Sequence, residues 1–86
     1  MVRLVLEVMD RVVKSFILSG DFFVVPPQAV EELGKRFEGM DIDKLRDRVE
    51  EIVRNWFSSS VSMAAGLDVK DVVAVVNKAL DTLSST

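Results

Sequence analysis

The sequence predicts an α+β fold: a small antiparallel β-sheet of two to three N-terminal strands, packed against three α-helices as a two-layer structure. Three observations carry this prediction. Up to Val25 the chain is strand-like, with period-two alternation and many β-branched and aromatic residues. From Pro27 the apolar period becomes helical. Strands therefore come first and helices after them, in the order β-β-(β)-α-α-α.

Each element follows from its own residues. "VRLVLEV" (2–8) alternates, with Val2, Leu4, Leu6 and Val8 on one face and Arg3, Val5 and Glu7 on the other. Met9-Asp10-Arg11 breaks the pattern. "VVKSFILS" then gives a second strand, with Phe16 and Leu18 assigned to one face and Lys14 to the other. The two strands form a hairpin. Asp10-Arg11 is a poor pair for a tight turn, which normally wants glycine at positive φ, so a slightly longer loop is expected. Gly20-Asp21 interrupts the second strand, and "FFVV" resumes as a third extended segment that Pro26-Pro27 ends.

The first helix carries the stripe Val30, Leu33, Phe37, with Glu31–Lys35 and Glu32–Arg36 as i,i+4 pairs on its wet side. Gly39 is a natural C-terminal stop. Asp41 or Asp43 caps a second helix with the stripe Leu45, Val49, Ile52, Val53, Trp56. "FSSSVSMAAG" loses periodicity and reads as a loop or a short extended piece. Asp68 caps the last helix, with Asp71 near its positive end. Its stripe is Val69, Val72, Val73, Val76, Leu80 and Leu83, and the terminal Ser84-Ser85-Thr86 is expected to fray.

Composition bounds the function. Eighty-six residues make one domain, 1–86, whose core is real but thin, since such a chain buries roughly 60–65% of its unfolded surface. The apolar fraction of 49% implies a well-filled core, some apolar surface left for a partner, or both. A formal charge of −3 argues against nucleic acid and against an anionic membrane. Cysteine, histidine and tyrosine are all absent, which excludes disulfides, thiolate metal sites and cysteine nucleophiles, and removes the commonest general base. No apolar run approaches the roughly 18 residues of a membrane span and no signal-peptide pattern opens the chain, so a soluble cytoplasmic protein is expected.

Few constellations point to chemistry. The carboxylates Asp41, Asp43, Asp47, Glu50 and Glu51 are interleaved with Lys44, Arg46, Arg48 and Arg54, which is the pattern of a solvated helix face and not of a divalent-cation site. Ser58-Ser59-Ser60 lacks any histidine to activate it and reads as a flexible connector. Trp56-Phe57 ends an apolar stripe and reads as core. No catalytic residue and no metal ligand is assigned.

"SGDFFVVPP" (19–27) resists such a reading. Consecutive strand residues point to opposite faces, so one of Phe22 and Phe23 enters the core while the other is left on the surface unless a partner covers it. Gly20 permits positive φ or close backbone approach. Asp21 can tie down a turn by accepting amide protons. Structure alone accounts for Gly20, Pro26 and Pro27 and accounts less well for two adjacent phenylalanines. Gly20, Asp21, Phe22, Phe23 and Pro26 make up the corner that either closes the core or meets a partner, and are the candidate partner-binding residues.

"ILSGDFFVVPPQAVEELGKRFEGMDID" (17–43), backed by "VRLVLEV" before it and "GLDVKDVVAVVNKAL" after it, resembles the C-terminal accessory domain of lipoate–protein ligases, which in some archaea is a separate small subunit. The resemblance spans nearly the whole chain and departs at Arg11, where such sequences often carry glycine, and in lacking a short glycine- and lysine-containing lead-in. It implies a SufE/NifU-like fold, as in the sulfur-carrier scaffold proteins of iron–sulfur assembly. It also implies a heterodimer with a separate catalytic subunit, which binds ATP, Mg and lipoate, makes lipoyl-adenylate and passes the lipoyl group to a lysine on an acceptor protein. The accessory domain binds no cofactor and supplies no catalytic group. Two other readings share the fold. One is an interaction module for another acyl-handling enzyme, such as an octanoyltransferase; the other is a sulfur-transfer scaffold, whose chemistry needs the thiolates this chain lacks.

Overall fold

A computed structural model describes residues 2–84. Strands β1 (Val2–Met9) and β2 (Val12–Gly20) form an antiparallel hairpin, and β3 (Phe23–Val25) follows. Helices α1 (Ala29–Phe37) and α2 (Ile42–Ser60) come next, then β4 (Met63–Ala65) and α3 (Val69–Ser84). The fold is α+β. The single sheet expected from the sequence is instead two two-stranded sheets, β1–β2 and β3–β4, because β3 pairs with β4 and not with the hairpin.

The hairpin turn is tighter than expected. Asp10 and Arg11 alone connect the strands, both at positive φ (54° and 65°), as a type I′ turn requires. What holds an arginine there is tertiary. The Arg11 carbonyl accepts from the Ile42 amide at 2.9 Å, and its guanidinium donates to Asp43 at 2.6 Å. Val13 donates to the Met40 carbonyl and accepts from the Gly39 amide, both at 2.8 Å, so the α1–α2 connection is laced to the start of β2. Gly39 makes this possible with φ +87°, its expected role as a helix stop.

A bulge accounts for Lys14. In an unbroken strand Lys14, Phe16 and Leu18 would share a face, but the register shifts between Glu7 and Val8. Glu7 pairs with Ser15 and Val8 with Val13, leaving Lys14 as the extra residue, so Val13, Phe16 and Leu18 are buried while Lys14 is exposed.

The helices supply most of the core. Leu33 and Phe37 of α1, Leu45, Val53 and Trp56 of α2, and Val72, Val76 and Leu80 of α3 are all at most 2% exposed. The Phe16 and Phe37 rings meet at 4.7 Å between centroids. The Trp56 indole donates to the Ala29 carbonyl at 2.6 Å, satisfying its buried N–H and pinning the start of α1 to α2. Asp41 caps α2 by accepting from the Asp43 amide, and Asp68 and Asp71 cap α3 reciprocally, each accepting from the other's amide at 3.1 Å. Of the expected helical pairs Glu32–Arg36 forms at 3.0 Å, whereas Glu31 and Lys35 do not meet.

Ser58-Ser59-Ser60 is not a flexible connector: it is the last turn of α2. Ser58 and Ser59 donate to the Asn55 carbonyl, and Ser60 donates to Glu32 at 2.8 Å. Of that stretch Met63–Ala65 forms a strand. The carboxylates of α2 and its cap lie on a wet face, with Asp43 paired to Arg11, Glu50 to Arg54 and Glu51 to Arg48. Ser85 and Thr86 of the expected frayed end lie outside the described residues. No helix among the described residues is long and apolar enough to cross a membrane.

Candidate functional site

The corner that the sequence singles out is built by β2, β3 and β4. Gly20, the last residue of β2, takes φ +145°, which few side chains tolerate, and turns the chain out of the hairpin. Asp21 is exposed, and its carboxylate accepts no amide proton among the described residues, so it does not tie the turn as expected. Its carbonyl does that work by packing. A Cβ added to Gly66 would stand 2.8 Å from the Asp21 oxygen and 3.4 Å from the Phe22 Cα. With φ +76°, Gly66 is thus required both for its conformation and for this close approach.

The two phenylalanines divide. Phe22 precedes β3 and packs, half-buried, against the core. Phe23 begins β3 and is 56% exposed, while Val24 turns in and is buried. Pro26, half-buried after a cis Val25–Pro26 peptide, accepts from the Ala29 amide at 3.0 Å and leads into α1.

β4 completes the surface: an extended piece in this stretch is one of the two sequence readings, and its pairing with β3 is what sequence reasoning missed. Phe23 pairs with Ala65, Val24 with Ala64 and Val25 with Met63. Directly opposed residues share a face, so Phe23, Val25, Met63 and Ala65 form one outward apolar row while Val24 and Ala64 form the inward one. Met63 is 63% exposed. Ser62 closes the ribbon, its amide and hydroxyl both donating to the Val25 carbonyl at 2.8 and 3.0 Å. A three-residue strand holding two alanines carries almost no periodic signal. Its pairing with β3 is a tertiary fact.

Little at this corner can do chemistry. The only titratable side chain between Gly20 and Ala29 is Asp21, and no cluster of carboxylates able to hold a metal ion occurs among the described residues. What the corner offers is a rigid, apolar, shaped surface, the usual makings of a protein contact.

No family model matches the chain. It is 26% identical over 73 residues to the lipoate-protein ligase A subunit 2 of Thermoplasma acidophilum, an alignment that covers 85% of this chain and 72% of that one. Among solved structures it resembles a chain from the archaeal lipoylation system of the same organism, a bi-partite lipoate protein ligase with its E2 lipoyl domain. The TM-score is 0.72 at 21% identity, over 87% of this chain and 80% of the other. The structural likeness establishes a shared fold. The sequence likeness is to a lipoate-protein ligase subunit, the family that residues 17–43 resemble.

Proposed function

We propose that this chain is the accessory subunit of a bipartite lipoate–protein ligase. It docks through the Gly20–Pro26 corner and the outer face of the β3–β4 ribbon onto a separate catalytic subunit, and so enables that subunit to activate lipoate as lipoyl-adenylate. ATP, Mg and lipoate belong to the partner, and lipoyl-acceptor proteins are met only through it. The observation that carries this reading is the outward row Phe23, Val25, Met63, Ala65, held by a braced backbone in a chain similar to a ligase subunit. A chain without histidine or cysteine suits such a role, because docking requires shape and not a reactive group.

The physical effect is conformational. A subunit that binds the adenylation-competent arrangement of its partner better than the alternatives raises that arrangement's population by its differential affinity. A preference of about 3 kcal/mol would shift the equilibrium more than a hundredfold. The test is adenylate formation by the purified catalytic subunit from ATP and lipoate, with and without this chain. Acceleration on addition supports the reading, and equal rates would falsify it.

A further inference from the structure

Among the described residues β1 pairs only with β2, so its other edge carries backbone groups that no described strand pairs with. Beside that edge runs α3, and between them lies an open groove of about 520 Å³ lined by Leu4, Leu6, Val75, Ala79, Arg3 and Lys78, among others. The groove exists because α3 covers the inner face of β1 incompletely: Val2, Leu4, Leu6 and Val8 all remain half-buried. Val5, on the other face, is 56% exposed.

The charges around it are unusual for this protein. Five of its six arginines (Arg11, Arg36, Arg46, Arg48 and Arg54) are paired with carboxylates. Arg3 is the exception among the described residues, and Lys78 likewise has no carboxylate partner. In a chain of net charge −3, each is thus a cation without an ion-pair partner at the edge of an apolar floor, Lys78 on the α3 side and Arg3 on the outer face of β1. Arg3 also lines a separate hollow with Ser19, Gly20 and Asp21, so the groove and the candidate docking corner share this residue.

We infer that this groove takes an extended segment of the catalytic subunit, added as a strand to the free edge of β1. Alternate side chains of that segment would be apolar and fill the floor, and carboxylates on its two faces would meet Lys78 on the α3 side and Arg3 on the other. The inference rests on the reading of the chain as a ligase accessory subunit. A second copy fits less well. Antiparallel pairing of β1 with itself could bring Glu7 to Arg3 but would set no free carboxylate of α3 against Lys78, since Asp81 holds Arg46 and Asp71 caps its own helix.

The experiment mixes the full chain with the catalytic subunit and reads affinity at two salt concentrations, with hydrogen exchange on the complex. The expected result is slowed exchange of β1 amides, with about tenfold weaker binding and a shallower salt dependence in the Arg3→Glu/Lys78→Glu variant. A Lys70→Glu control, on the exposed start of α3, should bind as the wild type does, and unchanged melting temperatures would establish that both variants fold. If the wild-type chain does not bind at all, the functional reading and the inference fall together. Binding with unprotected β1 and an unaffected double variant leaves the reading standing and overturns the groove. Self-association of the wild-type chain that protects β1 in the absence of the catalytic subunit also overturns it, in favour of a second copy.

Discussion

At the scale of single residues, the proposed docking assigns the adjacent phenylalanines different tasks, one to folding and one to the partner. Phe23 reaches outward from a strand whose next residue is buried, so its ring contributes little to the core of the free chain. Phe22 packs on that core beside Gly66. Phe23→Ala should therefore leave the melting temperature nearly unchanged while weakening association with the catalytic subunit by about 2 kcal/mol, the size of an interface anchor. Phe22→Ala should lower stability by about 2 kcal/mol, less than the cost at a fully buried ring, and weaken binding only through the folded fraction. Thermal unfolding and titration calorimetry on both variants check the division, and a reversed pattern would move the docking surface to the other ring. The alternation rule made the division legible in the sequence without saying which ring took which side. That depended on β4, whose Met63 and Ala65 fix the outward face by pairing.

At the scale of elements, what could be read in advance were those whose cause is local. The stripes of α2 and α3 and the caps Asp41 and Asp68 are visible in sequence because each is a repeat or a side chain beside its own helix end. What escaped was set by distant partners. The two-residue turn at Asp10-Arg11 depends on Ile42 and Asp43, and the last turn of α2 depends in part on Glu32 reaching Ser60. Gly34 is a further case. Mid-helix glycine costs about 1 kcal/mol relative to alanine, so propensity alone favours Gly34→Ala. Yet a Cβ there would lie 2.6 Å from the Phe16 carbonyl oxygen of β2, a backbone atom that cannot swing away. Pushing α1 off β2 costs about 1–3 kcal/mol, which outweighs the helical gain. Urea unfolding of Gly34→Ala should show a lower midpoint, and a raised midpoint would mean that the helix–strand contact has slack.

At the scale of the whole molecule, the absence of histidine and cysteine shapes the response to pH. With no histidine or cysteine, no side chain has an ordinary pKa between the carboxylates and lysine, so stability should be nearly level from about pH 5.5 to 7. Below that the carboxylates decide. The Glu32 carboxyl is held below its ordinary value of 4.5, first by the hydrogen bond from Ser60, then by the one from Arg36. A carboxyl depressed in the folded state stabilises above its unfolded pKa, and that contribution disappears as pH falls through the lowered value. Here the loss is also structural, because Glu32 ties α1 to the last turn of α2 through Ser60 at 2.8 Å and Arg36 at 3.0 Å, with Arg36 in turn 3.2 Å from Ser60. Glu32→Gln should therefore start less stable at pH 7 and lose less on acidification, so that its melting temperature converges on the wild type's as pH falls through the lowered value of the Glu32 carboxyl. Ser60→Ala should show a weaker form of the same convergence, since the salt bridge to Arg36 survives it. Melting followed by circular dichroism from pH 7 to 2.5 reads both. Parallel curves for wild type and Glu32→Gln would mean that the exposed cluster is screened to nothing, and that α1 is held on α2 by the buried Trp56–Ala29 hydrogen bond and the apolar core alone.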